Sequence, residues 1–578
     1  MRHTEPGRRT MRWLVLAAAG LAMLPAASVR GAGPPGFTVE LDKLDSSGLP
    51  GLHSYSLAQA NGKWLVVGGR TNGMHELTQS SDGGATPPPN AFPPSKANQR
   101  VWVIEPAATQ AWSTPVQNLD PAIADQMSAT NAQHVQDGNV LYIIGGYGQD
   151  SSTGQMVTFG SLLVIQVQET INAIVAGQPI SGYIQRVSTY TDCPQYGTDA
   201  YNACVAAKSK DCKTGPGWAA CMKKVEAECW QGARREAEEK CIQSVQAGDR
   251  SGYPTNDGYY AQVTGGGMEQ VGNVFYLVFG QLFEGLYSAN EGDYGKWPVR
   301  QIYTERVVAL NFTPGPPAKA DVLTVYKQDP NDDSAPYHRR DLNVLPALNP
   351  VNGATRIAVH GGVFVPGQDA AYREPIYLDN GADPTTLTIT VDRSCQQVMS
   401  QYECGTLTMF DRTGGGAGNM INVFFGGISL YYLSPPTKTL KMDTGLPFIQ
   451  DLTAMTHYPD GSYTEYVRMK PLDGRMGTDA RFVPMPGVSA TEDGVIYLDT
   501  LKAQTLVGYL YGGIFSQTPD PALGGEAATQ TRASNAIYQV WVSPQPAPPG
   551  YWIPAVPPTS STAKTPAKAS SQKRSRKK

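Results

Sequence analysis

Six times along the chain a short run of β-branched and aromatic residues ends at glycine. The runs are Trp64–Val67 before Gly68-Gly69, Leu141–Ile144 before Gly145-Gly146, Phe275–Phe279 before Gly280, Ile357–His360 before Gly361-Gly362, Ile421–Phe425 before Gly426-Gly427, and Val507–Tyr511 before Gly512-Gly513. Continuous apolar runs of this length read as strands covered on both faces, and the glycines let the backbone turn where a Cβ would clash. Around the first run, Leu52–Ala58 reads as an inner strand and Asn61-Gly62 as the hairpin turn, while Arg100–Ile104 followed by Trp112 gives two outer strands. The second unit repeats this with Gly138-Asn139 and Leu162–Gln166, the third with Gly272-Asn273 and Arg306–Leu310, and the sixth with Ile537–Val542. One such unit cannot bury its apolar face alone and must stack on its neighbours. The pattern predicts an all-β, six-bladed β-propeller.

Ring closure is legible too. The last unit ends near Val542 without room for a fourth strand, whereas Phe37, Val39 and Leu41 alternate with polar residues ahead of the first unit. A strand over Phe37–Leu44 beside Ile537–Val542 would complete the final blade and hide an edge that otherwise templates aggregation. The order of apolar run, glycine pair, aromatic-bearing strand and later Trp resembles the kelch repeat over residues 36–545, with most units longer than the roughly 50 residues of that repeat. Long loops must therefore decorate the blades.

The segments Leu52-His53-Ser54-Tyr55, Gly68–His75, His338–Asn343, Tyr402-Glu403-Cys404 and Phe424–Ile428 together resemble a group of exported bacterial kelch-like proteins. The resemblance implies the fold and export, and no particular activity. It is distant from two further kelch-containing families, the galactose oxidase-like copper radical oxidases and the periplasmic sialic-acid mutarotases.

Composition adds the flanks. Trp13–Ala27 is an apolar stretch after Arg8, Arg9 and Arg12 and before small residues, which reads as a signal peptide over residues 1–28 rather than a membrane span. No other segment is apolar enough to span. The expected location is outside the cytoplasm: periplasmic, cell-surface or secreted. Six of the eight cysteines lie in an insertion over residues 191–250, rich in Ala, Lys and Glu. They are spaced symmetrically about Gly215-Pro216-Gly217, which predicts an α-helical hairpin with nested disulfides Cys212–Cys221, Cys204–Cys229 and Cys193–Cys241. The segment has no histidine and no Cys-x-x-Cys pair, which disfavours zinc there. Cys395 and Cys404 are left to pair locally. Residues 546–578 are rich in Pro, Ala, Ser and Lys, carry no acidic residue and read as a disordered basic tail. The whole chain has a formal charge of −4. With the basic tail and Arg-bearing N-terminus set aside, the domain itself is strongly acidic, which argues against nucleic acid as its partner.

Propellers place ligands at one mouth of the central channel. The residues ahead of each inner strand there are His53 and Ser54, Ser128 and Asn131, Tyr259 and Tyr260, His338-Arg339-Arg340-Asp341, and Asp479 with Arg481. The fourth group is densest, and its arginine forks suit a carboxylate or phosphate. The competing reading is a salt-bridged tie between loop and blade. The ligand-binding set is thus His338, Arg339, Arg340, Asp341, His53 and Arg481, with an anionic glycan or a cell-envelope protein as the expected partner. No metal or cofactor is expected. A copper oxidase needs a free cysteine beside tyrosines and histidines, whereas all eight cysteines are accounted for here and His360 reads as a satisfied core histidine. Asp329, Asn331 and Asp333 have calcium-loop spacing, but Ser334 and Arg340 stand where the turn glycine and the bidentate acid belong. The reading is therefore a binding or interaction module at the cell envelope, with a sugar-acid mutarotase or epimerase as the leading enzyme alternative and a copper radical oxidase as a lesser one.

Overall fold

The computed structural model describes residues 33–75, 92–188, 193–213, 218–234, 236–237, 240, 260–285, 300–367, 370–521 and 527–557. The glycine-terminated runs are the second strands of six sheets, each built on four antiparallel strands, to which blades 5 and 6 add short extra strands. From the axis outward, blade 1 is Ser56–Ala60, Lys63–Val67, Arg100–Glu105 and Gln110–Pro115. Blade 2 is Gln133–Asp137, Val140–Ile144, Ser161–Gln166 and Ile184–Ser188. Blade 3 is Gly267–Val271, Val274–Val278, Arg306–Thr313 and Lys319–Lys327. Blade 4 is Arg340–Leu348, Thr355–Val363, Ile376–Asp379 and Thr388–Val391. Blade 5 is Gly405–Gly414, Ala417–Phe425, Leu452–His457 and Tyr463–Arg468. Blade 6 takes Arg475–Pro484, Thr505–Ser516 and Ile537–Ser543, and its outer strand is Thr38–Lys43. The molecule is a six-bladed β-propeller.

The glycine pairs are where neighbouring blades touch. A Cβ on Gly145 would stand 1.9 Å from Val263 O, and one on Gly426 would stand 1.8 Å from Met476 O. The second glycine then donates its amide across the gap: Gly146 N to Val263 O at 2.9 Å and Gly427 N to Met476 O at 3.0 Å. Both need a left-handed backbone as well as the missing side chain. Blade 3 breaks the pattern, because Phe279 holds the first position at φ 52°. Its ring stacks on Tyr337 with centroids 4.8 Å apart.

Because both faces of each blade are covered, side chains alternate between two inter-blade cores rather than between core and solvent. Leu65 and Val67 pack toward blade 2, whereas Trp64 and Val66 pack toward blade 6. Ile357 and Val359 face blade 3, and Ala358 faces blade 5. The interface of blades 4 and 5 departs from this rule. Its apolar residues fall into separate clusters, and buried between the same two blades are His360, Asn422, His457 and Gln397.

Closure follows the expected pairing, with Thr38 opposite Ser543 and Lys43 opposite Tyr538. Phe37 and Val39 are fully buried there. The Pro-rich stretch does not leave the domain at residue 546. Tyr551 donates its hydroxyl to Val39 O at 2.5 Å, Trp552 donates Nε1 to Phe37 O at 2.9 Å, and Trp552–Pro554 adds a strand to blade 5. Two aromatic side chains give this segment the apolar surface that the rest of the stretch lacks. The remainder, residues 558–578, and the N-terminal segment through residue 32 lie outside the described residues.

Between blades 2 and 3 the insertion forms helices Cys193–Lys208 and Trp218–Cys229. Disulfides Cys204–Cys229 and Cys212–Cys221 cross-link them, each with a Cα separation of 5.6 Å. Around these the insertion builds its own small core with Tyr201, Val205, Met222 and Val225. The third expected bridge, Cys193–Cys241, and the turn at Gly215-Pro216-Gly217 fall outside what is described. Cys395 and Cys404 do not pair: both are buried free thiols. The chain between them threads the interface of blades 4 and 5, from Cys395 beside Asp392 and His457 to Cys404, whose amide donates to Asn343 Oδ1 at 2.9 Å. The local pairing expected of Cys395 and Cys404 is not formed. Among the described residues no helix is long and apolar enough to cross a membrane.

Candidate functional site

The approach to each inner strand carries a left-handed residue: Ser54, Asn131, Gly265, Asp341, Glu403 and Asp479, in blades 1 to 6. Backbone hydrogen bonds join these equivalents around the axis. Asn131 N donates to Ser54 O at 3.1 Å, Gly265 N to Asn131 O at 3.1 Å, Asp341 N to Gly265 O at 2.7 Å, and Asp479 N to Glu403 O at 2.7 Å. The left-handed backbone is what turns each chain from the rim into the channel. It also fixes five side chains at the same depth, three of them carboxylates.

Above this ring lies a cup of about 160 Å³. Its floor holds His53, Ser54, Arg340, Asp341, Glu403 and Asp479, and its walls are apolar and aromatic, including Met74, Phe92, Phe364 and Phe448. A larger cavity of about 350 Å³ lies off the axis between blades 1 and 2, lined by Arg70, Asp125, Ser128 and neutral neighbours. The axial cup is the better site, because five blades converge on it and its polar groups face one another.

The three acids are not equivalent. Burial raises the Glu403 carboxyl well above the usual range, and the charges of Asp479 and Asp341 beside it add to the rise. Burial acts the same way on Asp341, against the pull of Arg340. For Asp479 burial is outweighed by hydrogen bonds from His53 and Ser54, which hold it below the usual range. Ser54 Oγ donates to Asp479 Oδ2 at 2.7 Å, and His53 Nδ1 lies 3.3 Å from the same oxygen. His53 Nδ1 also lies 2.8 Å from Ser54 Oγ, so Asp479 orients His53 both directly and through Ser54, and His53 Nε2 has no protein partner. Glu403, which holds its proton more tightly than an ordinary carboxyl, sits beside them. Environments that push neighbouring pKa values apart are the signature of an acid and base pair.

Below the ring the channel carries further ionisable groups. Glu269 on the inner strand of blade 3 is pushed up to about 8 by burial and then by Asp493, and His134 on blade 2 is held down to about 3 by burial and by Arg481.

Of the sequence-predicted set, the cup brings together His53, Arg340 and Asp341. Arg340 is spoken for: its Nε lies 3.4 Å from Asp341 Oδ2, and Nη1 donates to Tyr303 and Gln281. Arg339 is not at the mouth. It is fully buried and donates to the carbonyls of Pro336, Gly361 and Glu374, so it is a tie within blade 4. His338 stacks on Tyr303 and pairs with Glu305 at 2.6 Å, away from the cup. Arg481 does not line the cup, but its charge reaches Glu403 and Asp479 at the floor as well as Tyr55, His134 and Glu269. The mouth is thus a mixed acidic site, not the isolated positive one that the arginines suggested. Tyr260 lies under Arg306, 4.8 Å from it, and Tyr259 is outside the described residues. Glu403 was the acid that sequence reasoning passed over. Its one signal is its place two residues ahead of an inner strand, like Ser54.

Cys395 removes one argument made against copper chemistry, that all cysteines are paired. His360 is a buried core residue with polar neighbours: Asn422 Nδ2 is 3.3 Å from its Nε2, and Gln397 packs against the same ring. These residues lie between blades 4 and 5, however, and not in the cup.

No family model matches the chain, and no curated protein does. Among solved structures, one described as "Structure of YjhT" is similar at 9% identity with a TM-score of 0.36, covering 86% of this chain and 99% of that one. A likeness so loose does not bear on function.

Proposed function

We propose that the chain is an exported, kelch-type propeller that binds a small hydroxylated ligand, of single-sugar size, in the axial cup. The carrying observation is the set of hydrogen-bonding side chains at the floor, His53, Ser54, Arg340, Asp341, Glu403 and Asp479, under aromatic walls. Aromatic faces bury the apolar side of a sugar ring while convergent polar groups read its hydroxyls. The two disulfides support export, since such bridges persist in oxidising compartments. The glycine-terminated second strands support the kelch assignment. Calorimetric titration of neutral and acidic monosaccharides tests the reading. Binding that is lost in Asp479→Asn at an unchanged melting temperature supports it, and no binding by wild type to any sugar contradicts it. If only acidic sugars bind, Arg340 keeps the anion-holding role that its side chain suggests.

The split acids favour a second reading, in which the bound ligand is also turned over. His53 Nε2 would take a proton from the anomeric hydroxyl and Glu403 would deliver one to the ring oxygen, as a sugar mutarotase requires. Anomer interconversion followed by NMR separates the two. A mutarotase accelerates it and loses the acceleration in Glu403→Gln, whereas a binding module does neither.

A further inference from the structure

We propose that Cys395, His457 and Asp392 form a divalent metal site of zinc type that ties blade 4 to blade 5. The Cys395 sulfur, a His457 ring nitrogen and an Asp392 carboxylate oxygen all lie within 4.8 Å of one another. Thiolate, imidazole and carboxylate together are a zinc ligand set, with three protein ligands leaving a fourth position for water.

The surroundings point the same way. The other blade interfaces each hold one continuous apolar cluster, but this one buries His360, Gln397 and Asn422, and leaves Asn422 Oδ1 without a partner. Buried polar groups of this kind cost stability unless something is gained in exchange. His360 lies next to the site, its ring centroid 6.4 Å from that of His457. Part of an outer shell is in place as well. Asp392 Oδ1 accepts from Ser394 N at 3.0 Å and Ser394 Oγ at 2.6 Å, which fixes the carboxylate for ligation, and the Tyr377 hydroxyl lies 3.3 and 3.0 Å from Nδ1 and Nε2 of His457.

A divalent ion with one thiolate and one carboxylate sums to zero, and the other charges that act on Cys395, the carboxyls of Glu465 and Glu374 against the Arg373 guanidinium, favour a cation there. Binding converts the Cys395 S–H to a sulfur–metal bond and releases its proton to solvent, the carboxylate being already ionised. Cys395 is fully buried, while Asp392 is partly exposed and gives the ion a way in.

The test uses the full-length protein, purified reduced and then dialysed against zinc or cobalt. The expected result is one equivalent of metal by elemental analysis and a thiolate-to-cobalt charge-transfer band in the near ultraviolet. Cys395→Ser should lose the band and weaken zinc binding by more than the roughly 10–100-fold that loss of an outer-shell partner costs. Cys404→Ser, which removes the other buried thiol, should retain both. His457→Gln serves where Cys395→Ser does not fold, with the same losses expected. Less than a tenth of an equivalent of metal in wild type, or a cobalt spectrum unchanged by Cys395→Ser, overturns the site.

Discussion

Asp479 carries the most at the scale of single residues, because it orients His53 and Ser54 and is held below the usual carboxylate range while Glu403 beside it is raised above it. Asp479→Asn removes the charge but keeps the shape. A lost charge-assisted hydrogen bond is worth about 1.5–3 kcal/mol, so ligand affinity should fall about 10–100-fold, read by titration calorimetry. Phe279 poses a different question. Glycine there would relieve about 1–2 kcal/mol of left-handed strain, but removing the buried ring costs about 3–5 kcal/mol. Packing wins, so Phe279→Gly should destabilise by about 1–4 kcal/mol in urea unfolding despite matching the other five blades. Part of the site was legible in sequence: His53 stands just ahead of an inner strand, Arg340 and Asp341 open one, and all three reach the cup. Arg339 does not, because the carbonyls of Pro336, Gly361 and Glu374 take up its guanidinium inside the blade. Nothing in the sequence distinguishes the one aimed at the lumen from the one aimed into the blade.

Elements were more legible than residues. The second strands announce themselves by their glycine pairs, and the closing strand by the alternation of Phe37, Val39 and Leu41. Deleting residues 36–44 uncovers the edge of Ile537–Ser543 and removes the burial of Phe37 and Val39. Those two side chains alone are worth about 3–6 kcal/mol, or a melting temperature lower by about 3–6 °C in a domain of this size. An unchanged melting temperature by calorimetry would reject closure by this strand. The helical hairpin was readable from cysteine symmetry alone, since disulfides leave a mark in spacing that packing does not. The Asp392, Cys395 and His457 cluster leaves no such mark: its members come from a loop of blade 4 and a strand of blade 5, some sixty positions apart. Only the folded ring brings them together.

For the whole molecule, buried ionisable groups set how stability follows pH. Burial raises Asp451 to about 7 and Glu269 to about 8. Each prefers its proton more in the folded state, so its stabilising contribution is complete below the unfolded value near 4 and is lost as pH rises through 7 and 8. His134 is depressed to about 3, so its contribution is present above about 6.5 and is lost as pH falls toward 3. Above pH 6.5 only the acids are changing. The melting temperature should therefore fall between pH 6.5 and 8.5, and a scanning calorimeter that finds it rising there would show that the buried acids ionise without penalty.

The central claim is that the axial cup, not the larger cavity between blades 1 and 2, receives the ligand. A crystal of the protein soaked with a monosaccharide that binds in calorimetry tests this most directly. The account predicts density on the axis, in contact with His53, Arg340 and Asp479. Density confined to the off-axis cavity lined by Asp125 and Ser128, with the cup holding only water, would contradict it.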